Sequence, residues 1–135
     1  MSKYLVGHTI KEMKIADDKK AILFVTDKEN VIAKMDGDCC SDTWCEHIEM
    51  VSLPALVLDV EDIDMPNLGN SDEYDVVAYY GCKITTDKGH IIIDYRNSSN
   101  GYYGGNISFP DDGYFYGGVY GQNVSKEVWK DIAAA

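Results

Sequence analysis

Apolar residues along this chain recur mostly at every second position, the period of a half-buried strand. Thr9–Ile15 alternates weakly and closes at the polar ADDKK; Ala21–Thr26 (AILFVT) is a short apolar run, and DKEN makes the next turn. Val31–Met35 follows, so residues 9–35 predict a strand pair or meander. Leu53–Ile63 starts at Pro54 and runs ALVLDVEDI, with Leu56, Leu58 and Val60 alternating against Val57, Asp59 and Glu61. Residues 64–73 (DMPNLGNSDE) have the composition of a loop. Tyr74–Thr86 and His90–Tyr95 are the clearest strands, joined through Asp87-Lys88-Gly89, where glycine supplies a positive φ. Asn106–Phe109 returns as a further strand before the turn Pro110-Asp111-Asp112-Gly113. At the end, Ser125–Ala135 (SKEVWKDIAAA) predicts a helix, capped by Ser125 and with Val128, Trp129 and Ile132 on one side. The expected class is therefore α+β and β-rich. It comprises an antiparallel sheet of about six to eight strands with one or two short helices, the surest at the C-terminus.

Composition changes this picture little. At 135 residues, 45% hydrophobic and 26% charged, the chain is expected to be one domain over residues 1–135. No run approaches the roughly 20 apolar residues of a membrane span, and MSKYLVGHTIKEMK lacks a signal-peptide core. The expectation is a cytoplasmic protein without a membrane partner, its four cysteines reduced. Charge is more informative. The net charge is −11, and between Lys34 and Lys83 there is no Lys or Arg, while twelve of the 23 acids fall there. Neutralising a nucleic-acid backbone needs the opposite distribution, so direct nucleic-acid binding is not expected. The acids Asp59, Glu61, Asp62, Asp64, Asp72, Glu73 and Asp75 are the candidate docking surface for a basic protein. Their plainer role is a solubilising face.

The densest chemistry lies in residues 37–47, GDCCSDTWCEH. Cys40, Cys45 and His47 are candidate zinc ligands, because an extended Trp44–Ile48 would put Cys45 and His47 on one face. No C-x-x-C occurs, and a fourth ligand would have to come from Cys82, His90 or a carboxylate. The favoured reading makes Cys39, Cys45 and Cys82 small core residues, with Asp38 capping a turn and no cofactor.

A second candidate site is the NSSNGYY stretch. Arg96, the only arginine, precedes Ser98, Ser99, Asn100, Tyr102 and Tyr103. Arginine can fork onto a carboxylate or phosphate, and tyrosines offer stacking surface for a small nucleotide-like ligand. The alternative is a hairpin turn with Arg96 paired to one of the acids. No phosphate-binding glycine loop, nucleophile elbow, H-E-x-x-H or calcium loop is present.

Three stretches in order, LVGHTIKEM, GDCCSDTWCEHIE and KITTDKGHIIIDYRNSSNGYYGGNISF, resemble a family of small uncharacterised phage and prophage proteins. The resemblance spans about residues 5–109 and leaves the Gly/Tyr-rich hairpin and expected helix of 110–135 outside it. The family pattern places an Asp/Leu-rich short helix after the cysteines, where this chain has MVSLPALVL. The resemblance implies a virus-encoded protein of the bacterial host cytoplasm and carries over no catalytic residue. The expected function is a non-enzymatic phage accessory protein. It would bind and inhibit or sequester a host factor, in a counter-defence role, through the acidic surface or the Tyr/Asn/Arg turn. A zinc- or thiol-dependent protein centred on the Cys/His segment and a structural or assembly module are the alternatives. Homo-oligomerisation stays open.

Overall fold

The fold is seen in a computed structural model, which describes residues 3–37, 42–64, 76–99, 105–111 and 129–132. Nine strands run through the described residues: β1 Thr9–Ala16, β2 Ala21–Thr26, β3 Asn30–Gly37, β4 Asp42–Glu49, β5 Ala55–Asp64, β6 Val76–Thr86, β7 Gly89–Ser99, β8 Gly105–Ser108 and β9 Trp129–Asp131. They form one antiparallel sheet in the order β4-β7-β6-β5-β1-β2-β3-β8, with β9 added to β1. No helix occurs among the described residues. The described residues are all-β, and the expected α+β class is corrected.

The sheet turns on itself at the β1–β5 junction. The two strands pair at only Thr9↔Leu56 and Ile10↔Ala55, and the turn before β1 extends the join, with Gly7 N–H donating to Val57 O at 3.0 Å. Register irregularities lie in β1 between Ile10 and Glu12, in β4 between Cys45 and His47, and in β5 between Val57 and Asp59. Bulges of this kind bend and twist a strand. One core collects side chains from both halves of the sheet. Ile10, Met13, Ile22, Phe24 and Val31 come from one half, and Val57, Val60, Cys82, Ile84, Ile91, Ile93 and Tyr95 from the other. Phe109 follows β8 into this core, its ring 6.1 Å from that of Phe24.

Two sequence expectations invert for identifiable reasons. On β5 the inward set is Ala55, Val57 and Val60, while Leu56 and Leu58 are 37% and 53% exposed. The bulge after Val57 shifts the phase, so simple alternation picks the wrong leucines. At the C-terminus, Trp129–Asp131 is a strand, not part of a helix. Lys14, Ile15 and Ala16 pair with Asp131, Lys130 and Trp129, and Ile132 N–H donates to Met13 O at 3.2 Å. The free edge of β1 needs backbone partners, and this segment supplies them. The three-residue spacing of Trp129 and Ile132, which reads as a helical stripe, instead serves both faces of the sheet. Trp129 packs on Ala16 and Ala21, as Ile32 does, and Ile132 packs on the main core.

Candidate functional site

Successive side chains of β7 alternate between the core and the outer face. Ile91, Ile93, Tyr95 and Asn97 are buried, so Ile92, Asp94, Arg96 and Ser98 face outward. Antiparallel register places Trp44 of β4 and Tyr79 of β6 opposite Arg96. The result is a Trp–Arg–Tyr row across three strands. The guanidinium carbon lies 4.5 Å from the centroid of the Tyr79 ring, inside the range of about 6 Å for a cation–π contact.

Two carboxylates hold this cation in place. Arg96 Nη2 donates to Asp94 Oδ2 at 3.2 Å, and Nη1 lies 3.6 Å from Glu46 Oε1. The other oxygen of Glu46 accepts from Trp44 Nε1 at 2.8 Å. Desolvation opposes the charge on Arg96, but the hydrogen bond and field of Asp94, with Glu46 adding to them, raise its pKa above the ordinary value. Arg96 Nε and Asp94 Oδ1 are buried without a hydrogen-bond partner among the described residues. The cluster thus carries two carboxylates against one guanidinium and leaves one donor and one acceptor unused. Both of those atoms are buried, so what the surface itself presents is an excess of carboxylate.

The other predicted residues are placed as follows. Ser98 shares the outer face with Arg96. Strand β7 continues through Ser99, so Asn97-Ser98-Ser99 is strand where a turn was expected; Asn97 is buried and donates from Nδ2 to Thr43 Oγ1 at 2.8 Å. Asn100, Tyr102 and Tyr103 lie outside the described residues, as do Asp72, Glu73, Asp75 and Cys40. Asp59, Glu61, Asp62 and Asp64 are exposed on β5 but do not converge on one face. Asp59 is held by Lys3 at 2.7 Å, which lowers its pKa. Glu61 pairs with Lys83 at 3.3 Å. Asp62 instead sits opposite Cys82 and acts electrostatically on the inward-facing Cys82 and Tyr95.

The bulge in β4 separates the expected ligand pair. Cys45 is opposite Tyr95 and faces the core, whereas His47 is opposite Asp94 and exposed. Burial, helped by the charges of Asp94 and Glu46, pushes the Cys45 thiol up to about 12, and burial with Asp62 does the same to Cys82. Neither is a ready thiolate near neutral pH. No group of three or more His, Cys, Asp or Glu side chains is arranged to hold a metal among the described residues.

Sequence reasoning found Arg96 and missed Trp44, Glu46, Tyr79 and Asp94. Part of the signal was available. Asp94/Arg96 and Trp44/Glu46 are each two residues apart, the spacing that shares a face on a strand. What brings the pairs together is the β4–β7–β6 register.

One comparison with known proteins identifies a family. Residues 3–109 match a domain of unknown function, DUF7448. The chain belongs to this family. An uncharacterized protein of Acanthamoeba polyphaga mimivirus is 35% identical over 106 residues, which covers 71% of this chain and 82% of the viral protein. No solved structure matches. Within DUF7448, all five residues of the outer-face cluster fall inside the matched range, and β9 lies beyond it. No helix among the described residues is long and apolar enough to cross a membrane.

Proposed function

We propose that this DUF7448 protein is a virus-encoded, non-enzymatic binding protein that inhibits or sequesters a host factor through the outer face of β4, β7 and β6. The observation that carries this reading is the Trp44–Arg96–Tyr79 row, with its guanidinium fixed by Asp94 and Glu46. Tryptophan, tyrosine and arginine are the residues most enriched at interface hot spots. Here they are held rigidly, which lowers the entropic cost of docking. The net charge of −11 and the excess of carboxylate in the cluster point to a basic contact surface on the target. The finer form of the proposal is a phage or prophage product acting in the bacterial cytoplasm in a counter-defence role. The mimivirus relative supports a viral source in general and leaves the type of host to experiment.

The test is quantitative capture from host lysate by the wild type, Trp44→Ala and Arg96→Ala, with Leu58→Ser as a control on an exposed residue of β5. The expected result is a partner retained by the wild type and the control, weakened at least about ten-fold by either cluster substitution, and lost at high salt. Equal capture by all four proteins would assign binding to another surface and overturn the proposal.

A further inference from the structure

A cleft of about 300 Å³ opens where the end of β1 and the added strand β9 approach β4. Ile15, Ile48 and Ile132 line it, together with Cys45, and each of the three isoleucines packs against the main core. Its polar lining is Lys19, Glu46, His47 and Asp131. This volume stands at the small end of the range of about 300–1,000 Å³ for ligand pockets. At the ~30 Å³ that a water occupies in the liquid, it holds about ten non-hydrogen atoms.

The rim charges are not equivalent. Asp131 is committed to Lys14 at 2.7 Å, and Glu46 faces Arg96 at 3.6 Å while accepting from Trp44. Lys19 forms no ion pair among the described residues, although Asp17 and Asp18 precede it in the same turn. Its field reaches the Cys45 thiol on the cleft floor. The backbone of Lys19 is also fixed in an unusual way. Its φ is +63°, a left-handed conformation that a non-glycine residue rarely adopts. That conformation is clamped by Lys19 N–H donating to Ala16 O at 2.9 Å and by Cys45 N–H donating to Lys19 O at 2.7 Å. The hydrogen bond from Cys45 ties the β1–β2 turn to β4 and keeps Lys19 in the lining of the cleft beside the isoleucines.

We propose that this cleft binds a small amphipathic anion, a carboxylate on an apolar chain of about eight carbons, with Ile15, Ile48 and Ile132 gripping the chain and Lys19 holding the head group. The site is separate from the outer-face surface proposed above, apart from Glu46, whose carboxylate is engaged with that surface. Either reading can fail without the other.

The probes are octanoate, with ten non-hydrogen atoms by its formula, and octylammonium, which keeps the chain and reverses the charge. Both are titrated into the full-length wild-type chain and followed by amide NMR shifts. The expected result is saturable octanoate binding with a Kd of about 1 mM or tighter, with shifts centred on Lys19, Cys45, Ile48 and Ile132. Octylammonium should bind at least about ten-fold more weakly. Lys19→Gln should lose about ten-fold for octanoate, and Lys19→Arg should retain it. No saturation by octanoate, shifts centred elsewhere, or equal or tighter binding of octylammonium would overturn the proposal. The two wild-type titrations decide the matter even if a Lys19 variant folds poorly.

Discussion

The inner and outer faces of β4, β7 and β6 differ by a single residue step and present opposite chemistry. Inward lie Cys45, Ile93, Tyr95 and Cys82; outward, one position away, lie Trp44, Asp94, Arg96 and Lys83. On the inner face burial suppresses ionisation, so the thiols stay protonated and the Tyr95 hydroxyl is pushed well up, chiefly by desolvation. On the outer face charge persists, because Arg96 has its own carboxylates and partial access to water. The two faces also communicate. After burial, the next causes raising the Cys45 pKa are Asp94 and Glu46, the same acids that hold Arg96. A sheet one residue thick sorts groups by face without insulating them electrostatically.

The largest effect expected from this contrast is alkaline unfolding. Unfolded, each thiol titrates near 9.0; folded, Cys45 and Cys82 titrate at about 12. Between those values the unfolded chain gives up protons that the native chain keeps. Stability is therefore intact below about pH 9 and falls as pH rises toward 12, by up to about 1.4 kcal/mol per pH unit for each thiol. Urea denaturation at stepped pH under reducing conditions reads this slope, and Cys82→Ala should flatten it. A stability independent of pH across that window would mean the thiols are not buried as described.

Next in size is a matched pair on β7. Ile93 is fully buried, and its neighbour Ile92 lies on the outer face. Ile93→Ala should cost about 2–5 kcal/mol in chemical denaturation, against less than about 1 kcal/mol for Ile92→Ala. Similar costs would erase the distinction between the faces. Between these two falls Gly105→Ala. A Cβ at Gly105 would lie 2.9 Å from Asn97 Cβ, Thr43 Cγ2 and Thr43 Oγ1, where β8 crosses the buried ends of β7 and β4. All three atoms belong to two buried side chains that are hydrogen-bonded to each other, so a loss of about 1–3 kcal/mol is expected. A neutral Gly105→Ala would show that β8 can lift away from that face.

Strand positions were largely legible. The apolar run Ala21–Thr26 and the Asp87-Lys88-Gly89 hairpin set β2, β6 and β7 close to where they occur. Gly89 has the expected positive φ, +124°. Side-chain direction was legible only where a strand is regular. Ile91, Ile93 and Tyr95 follow simple alternation, whereas Leu56, Leu58 and the Cys45/His47 pair do not, because a bulge stands beside each. Arg96 was identifiable as a candidate because it is the single arginine. Its partners were not, since Glu46 is 50 residues away in the numbering and meets it only across the β4–β7 ladder.

The sequence by itself determined that this is a strongly acidic, strand-forming chain without a C-x-x-C pair, because composition and period-two patterning are local properties. Tertiary structure decided the rest. Bulges set which residues face inward, since one inserted residue reverses the face of everything after it. The edge of β1 made a strand of Trp129–Asp131, because unpaired backbone groups outweigh the weak helical preference of a short segment. Cross-strand register alone placed Trp44, Arg96 and Tyr79 in one row, because a ladder joins residues that the chain keeps far apart.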